Sequence, residues 1–150
     1  MAVKFLPDTA ATEALGARLA SCCQGGGVVF FQGQLGAGKT TLVRGLLRAL
    51  GHTGPVKSPT YALVESYHLS SREVHHLDLY RLGDPEELEW IGLRDLIMPD
   101  ALVLIEWPEQ GRGVLPTADL KLSMVCRQQG REVEFSVAGE TGDKWLNCLI

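Results

Sequence analysis

No stretch of the chain is long and apolar enough for a membrane span, which takes about 20 such residues. Apolar runs such as Ala101-Leu102-Val103-Leu104-Ile105 end far short of that. Positive charge is also in short supply: 14 Lys and Arg face 18 Asp and Glu, a formal net charge of −4. This argues against a broad nucleic-acid-backbone face, whose owners are usually basic, and leaves room only for a local basic patch. Cysteine is scarce and wrongly spaced for zinc, since Cys22, Cys23, Cys126 and Cys148 contain no C-x-x-C pair. Four cysteines can make two disulfides, but neighbouring Cys22 and Cys23 on a helix point in different directions, so reduced thiols are expected. The first residues carry no long apolar core behind a basic start; no signal peptide is expected, and the location expected is cytoplasmic. Asparagine occurs once, at Asn147, and Asp-x-x-Gly nowhere, which removes the Asn-Lys-x-Asp signature by which GTPases read guanine.

What is present reads as one domain spanning 1–150, without repeats or linkers. At 45% hydrophobic and 21% charged residues the composition is that of an ordinary soluble globular protein. Its centre of organisation is Gly33-Gln34-Leu35-Gly36-Ala37-Gly38-Lys39-Thr40, the pattern G-x-x-x-x-G-K-[ST]. The apolar run Val28-Val29-Phe30-Phe31 precedes it and the amphipathic run Thr41 to Leu50 follows, giving strand, Gly-rich turn and helix in that order. Glycines let successive backbone N–H groups face one concavity, so Gly33, Leu35, Gly36, Ala37 and Gly38 are candidate phosphate-cradling positions. The helix start adds unpaired N–H groups and its positive dipole end, where Thr41 also lies. Lys39 supplies a mobile charge for the β- and γ-phosphates, and the Thr40 hydroxyl is a ligand for Mg²⁺.

Around this loop the sequence predicts a short strand at Val3–Leu6 and a helix capped by Asp8 or Thr9 that ends before Gly25-Gly26-Gly27. Tyr61–Tyr67 and Val74–Tyr80 alternate as two strands joined by a turn at Ser70-Ser71-Arg72, with His76, Asp78 and Tyr80 on one face. A helix starting at Asp84-Pro85 is expected to break near Gly92. Leu102–Ile105 reads as a strand covered on both faces, and Asp119–Arg127 with Arg131–Ala138 as a hairpin before a closing helix at Glu140–Ile150. The fold class expected is α/β: a P-loop NTPase-like, mixed parallel and antiparallel sheet flanked by helices.

Two carboxylates suit the chemistry of such a loop. Glu106 follows Leu102-Val103-Leu104-Ile105, so it stands at the C-terminal end of a buried strand, where open α/β sheets bind ligands. It is the candidate for holding Mg²⁺ or positioning water. His76 and Asp78 read either as a metal pair or as a hydrogen-bonded His–Asp pair, the commoner arrangement, with Asp78 within reach of the magnesium shell in both. Ser58-Pro59-Thr60 occupies a switch-like position from which a hydroxyl senses a γ-phosphate; an ordinary turn has the same spacing. Trp107 either stacks near the nucleotide or packs in the core. Without the guanine signature ATP is favoured. Arg112 or Arg131 is a candidate clamp in cis. Small-molecule kinases carry an Arg-bearing lid and an acceptor pocket, for which 150 residues leave little room. A stand-alone small-molecule kinase and a nucleotide-dependent scaffold are the alternatives to an ATPase.

The ordered series G-Q-L-G-A-G-K-T-T, V-K-S-P-T-Y, H-L-D-L-Y-R-L and I-E-W-P-E closely resembles the bacterial TsaE (YjeE) family, the ATPase component of tRNA threonylcarbamoyladenosine biosynthesis. The resemblance implies ATP binding with Mg²⁺ and slow hydrolysis by the chain alone. It also implies work beside two sugar-kinase-like partners, TsaB and TsaD, that install the threonylcarbamoyl group on tRNA, so that tRNA is met only through partners. It further implies that Lys39 grips the phosphates and Thr40 ligates Mg²⁺. Glu106 would serve metal or water, Asp78 would support catalysis, Trp107 would lie by the nucleotide, Thr9 would touch the adenine, and Arg131 would line the site. Gln34 stands where the family commonly has Asp; this removes a charge and keeps the loop glycines.

Overall fold

The computed structural model describes residues 2–59, 62–69 and 72–150. Thr60 and the turn expected at Ser70-Ser71 therefore lie outside the described residues. In chain order the elements are β1 (Ala2–Leu6), α1 (Thr9–Cys22), β2 (Gly27–Gln32), α2 (Lys39–Ala49), β3 (Val64–His68) and β4 (Glu73–Asp78). They continue with α3 (Glu87–Trp90), α4 (Leu93–Leu96), β5 (Ala101–Glu106), a 3₁₀ turn at Pro108–Gly111, β6 (Leu120–Arg127), β7 (Gly130–Val137) and α5 (Gly139–Leu149). The strands form one seven-stranded sheet in the order β1-β7-β6-β2-β5-β4-β3. Its middle is parallel, β6, β2, β5 and β4; β3 and β7 join it antiparallel through hairpins with β4 and β6, and β1 from the start of the chain lies antiparallel to β7. The mixed α/β sheet expected from the sequence is the one observed.

The central strands β2 and β5 are apolar on both faces because each face is covered. Val29, Phe31, Leu102 and Leu104 pack toward α1 and α2, while Val28, Val103 and Ile105 pack toward Leu88 and Leu93 of α3 and α4. β5 is buried along its whole length, as a doubly covered parallel strand must be. Asp8 caps α1, its carboxylate accepting the Ala11 N–H at 2.8 Å. The helix expected from Asp84 is divided: Gly92 adopts a left-handed conformation at φ 77°, leaving two single turns in place of one helix.

The α2 helix, which starts at the glycine-rich loop, is seated by close approach to α1. A Cβ at Gly16 would stand 2.1 Å from the Leu42 carbonyl oxygen, and one at Gly45 would stand 2.2 Å from that of Glu13. The two bare positions face each other's helices, so the backbones meet without side chains between them.

The cysteine expectation is corrected. Cys22 is disulfide-bonded to Cys148, with the Cα atoms 5.5 Å apart, while Cys23 and Cys126 are free. Cys22 ends α1 and Cys23 caps it; α5 packs across α1 and brings Cys148 to Cys22, a contact that no local spacing records. Burial pushes the Cys23 thiol up to about 12, which keeps it protonated and unreactive.

Two outcomes are expected. Denatured but unreduced protein titrates two thiols, Cys23 and Cys126, and reduced protein four. Gly16→Ala or Gly45→Ala lowers the unfolding free energy in urea by about 1–3 kcal/mol through overpacking of the α1–α2 contact.

Candidate phosphate site at the strand ends

The loop from Gly33 to Gly38 leaves the C-terminal end of β2 and turns directly into α2. Gly38 makes the turn at φ 104°, a conformation an L side chain resists, and Lys39 begins the helix. Lys39 is buried, and its Nζ donates to the Gly33 carbonyl, curling back over the loop. The same Nζ lies 4.0 Å from the centre of the Trp107 ring. Burial pulls the Lys39 pKa below its usual value, and the negative charges of Glu106, Asp78 and Glu109 oppose that pull. A lone ammonium held among carboxylates and an aromatic face is ready to exchange its carbonyl contact for a stronger anion.

The sheet register brings the two predicted carboxylates to this point. Phe31 of β2 pairs with Glu106 of β5, and Glu106 pairs with Asp78 of β4, so the three strands end level. Both acids are buried. Thr40 Oγ1 donates to Glu106 Oε2 at 3.5 Å. A hydroxyl beside a carboxylate is a hard-oxygen donor pair of the kind Mg²⁺ accepts while keeping water and phosphate as its other ligands. Among the described residues no three His, Cys, Asp or Glu side chains form a closed metal cage.

Asp78 does not pair with His76, which corrects that reading. Its Oδ2 accepts the Ser58 hydroxyl and its Oδ1 the Tyr80 N–H at 3.0 Å. The Ser58 loop is thereby tied to the end of β4. His76 instead meets Glu106, its Nε2 lying 2.6 Å from Oε2. A carboxylate oxygen accepts, so Nε2 carries the proton, and Nδ1 is left buried without a partner among the described residues. His76 faces the α2 side as Val74 and Asp78 do, two residues before the strand end, and so reaches back to orient the acid. Sequence reasoning noticed His76 but gave it the wrong partner, because parallel register is invisible in a single chain.

Trp107 follows Glu106 with φ 55°, a left-handed conformation that a tryptophan holds only under constraint. That turn carries its ring over Lys39 and against Tyr80, whose ring centre is 4.9 Å away. Arg131 braces the loop from β7: Nε donates to the Ala37 carbonyl and Nη2 to that of Gly36, each at 3.1 Å. A cleft of about 190 Å³ opens beside it, lined by Asp8, Thr9 and Thr12 from α1, Gly38 and Thr41 from the loop and helix, and Gly130 and Arg131. Thr9, Thr41 and Arg131 are thus brought together. Arg112 is not among them: it lines a separate hollow with Phe30, Gln32 and Lys121. Leu35 stands exposed at the loop tip.

The family described as "Threonylcarbamoyl adenosine biosynthesis protein TsaE" matches residues 6–133. Proteins bearing the name tRNA threonylcarbamoyladenosine biosynthesis protein TsaE are similar along most of their length. That of Haemophilus influenzae is 46% identical over 122 residues, 81% of this chain and 77% of its own. That of Bacillus subtilis is 33% identical over 131 residues, 85% and 80% of the two chains. The crystal structure of YdiB from Bacillus subtilis superposes with a TM-score of 0.84 over 99% of this chain and 93% of its own, at 24% identity, which speaks for the fold.

Replacing the donor that holds Glu106 tests the geometry without any ligand. His76→Phe is expected to cost about 1–3 kcal/mol in urea unfolding, because a buried acceptor loses its partner. His76→Gln, which keeps a donor near the Nε2 position, is expected to recover most of that loss.

Proposed function

From the premise that this chain belongs to the TsaE family of tRNA threonylcarbamoyladenosine biosynthesis, we propose that it binds ATP with Mg²⁺ and hydrolyses it within the complex that forms threonylcarbamoyladenosine next to the anticodon. The observation that carries this reading is the meeting of Lys39, Thr40 and Glu106 at the end of β2 and β5, on a loop whose backbone is already turned into a helix N-terminus.

In this reading the amides of Gly33 to Thr41 cradle the phosphates, with Leu35, Gly36, Ala37 and Gly38 contributing backbone alone. Lys39 releases the Gly33 carbonyl and takes phosphate oxygens in its place. Thr40 and Glu106 would hold Mg²⁺, which when bound would supply charge neutralisation for the phosphate oxygens. Glu106 holds its position through His76, and Asp78, tied to Ser58, reports the state of the preceding loop to the site. Thr60 belongs to the same switch-like role. Thr9 and Arg131 border the nucleotide's far end, and Trp107 shields Lys39 from water. Turnover is weak in the isolated chain.

The partners proposed are TsaB- and TsaD-like proteins, with tRNA reached through them; the acidic balance of the chain is consistent with leaving the RNA to others. ATP turnover then drives a conformational or reset step in that complex, in the cytoplasm. The cleft beside the loop is lined by Asp8, Thr9, Thr12, Thr41 and Arg131.

Lys39→Ala is expected to weaken ATP binding at least about tenfold through loss of a charge-assisted contact. Glu106→Gln is expected to keep binding and to lower turnover by about 10²-fold or more; chelation of Mg²⁺ does the same. In cells depleted of the protein, mass spectrometry of tRNA nucleosides reads the outcome: wild type restores threonylcarbamoyladenosine and both variants fail. Restoration by Lys39→Ala overturns the proposal.

A further inference from the structure

We propose that the outward face of α3, centred on Trp90 with Glu86 and Glu89, docks a protein partner that presents Lys or Arg side chains around an apolar pocket. The segment from Asp84 to Asp100 is two-sided. Leu88 and Leu93 are buried, and Ile91, Leu96 and Ile97 pack against the same cluster. Trp90 points the other way and is 88% exposed, with Met98 54% exposed further along the segment. An indole that could have been buried is left in water, and tryptophan is among the residues most enriched where interfaces concentrate their binding energy. It has no hydrogen bond or ring contact among the described residues.

Glu86, Glu89 and Trp90 stand at i, i+3 and i+4, one turn apart on one face. Among the described residues neither glutamate has an ion pair, and like charges at that spacing disfavour the turn they sit on. Residues 84–100 carry six of the chain's 18 acidic side chains and one of its 14 basic ones, a net −5 that exceeds the −4 of the whole chain. Negative charge is therefore dense in this segment, and Glu86 and Glu89 bring part of it to the Trp90 face.

That charge selects the occupant. A two-fold dimer through this face sets Glu86 and Glu89 of one copy against those of the other. Nucleic acid and anionic lipid bring further negative charge. A cationic protein surface gains from the field, and its apolar pocket removes Trp90 from water. The location is consequential, because Leu82 and Leu88 pack with Leu79, Ile105 and Trp107, the residues that back the ends of β4 and β5. A partner here rests on the chain segment that leaves Asp78.

The inference rests on the functional reading above, and the TsaB- and TsaD-like proteins of the same genome are the probes. Titration calorimetry at two salt concentrations compares wild type, Trp90→Ala and the double variant Glu86→Lys/Glu89→Lys. Each variant is expected to bind the probes at least about tenfold more weakly, as loss of an interface hot spot does. Wild-type affinity is expected to fall with salt and that of the double variant to lose this dependence. ATP binding by the free variants stays unchanged, which shows that they are folded. Affinities within twofold of wild type overturn this inference alone, and so does a Trp90→Ala effect confined to self-association or RNA retention. A wild-type chain that binds neither probe overturns the functional reading, and this one with it.

Discussion

A carboxylate buried at the end of a fully covered strand must be given partners, and the structure around Glu106 is arranged to supply them. β5 has no exposed residue, so the side chain at its last position cannot turn to solvent for hydration. Thr40 arrives from the phosphate loop and His76 from the neighbouring strand, and both donate to the same oxygen. The other oxygen accepts from no described residue. The acid is thus held through one of its two oxygens.

Holding the acid serves nothing unless the loop is equally fixed. Three separate contacts do that. Gly16 and Gly45 let α1 and α2 approach so closely that the helix carrying Lys39 and Thr40 cannot slide. Arg131 spans from β7 to two loop carbonyls and ties the loop to the sheet. Trp107, in a strained backbone conformation, lies against Lys39 and Tyr80 and so joins the end of β5 to the segment after β4. The strain falls on the residue whose ring lies over the buried Lys39.

The acidic face of α3 belongs to the same economy of charge. Within the site, carboxylates are few, buried and hydrogen-bonded. Outside it, six of the chain's 18 acidic side chains fall in residues 84–100, the segment whose inner residues back the strand ends. The net −4 of the chain thus coexists with a buried cation, Lys39, at the strand ends.

What the sequence determined by itself was whatever depends on near neighbours. The strand, turn and helix around Gly33 to Thr40 lie within one short stretch, so residue type and spacing dictate them. The doubly buried β5 is legible as an unbroken apolar run, and the acid after it has only one place to stand in a parallel sheet. Only the tertiary structure decided the pairings between distant segments. His76 and Glu106 are 30 residues apart, Arg131 and Ala37 are 94 apart, and Cys22 and Cys148 are 126 apart. Each depends on which strands lie side by side, in what register, and on which helix crosses which. A single sequence specifies these through the packing of the whole core, and no local pattern records them.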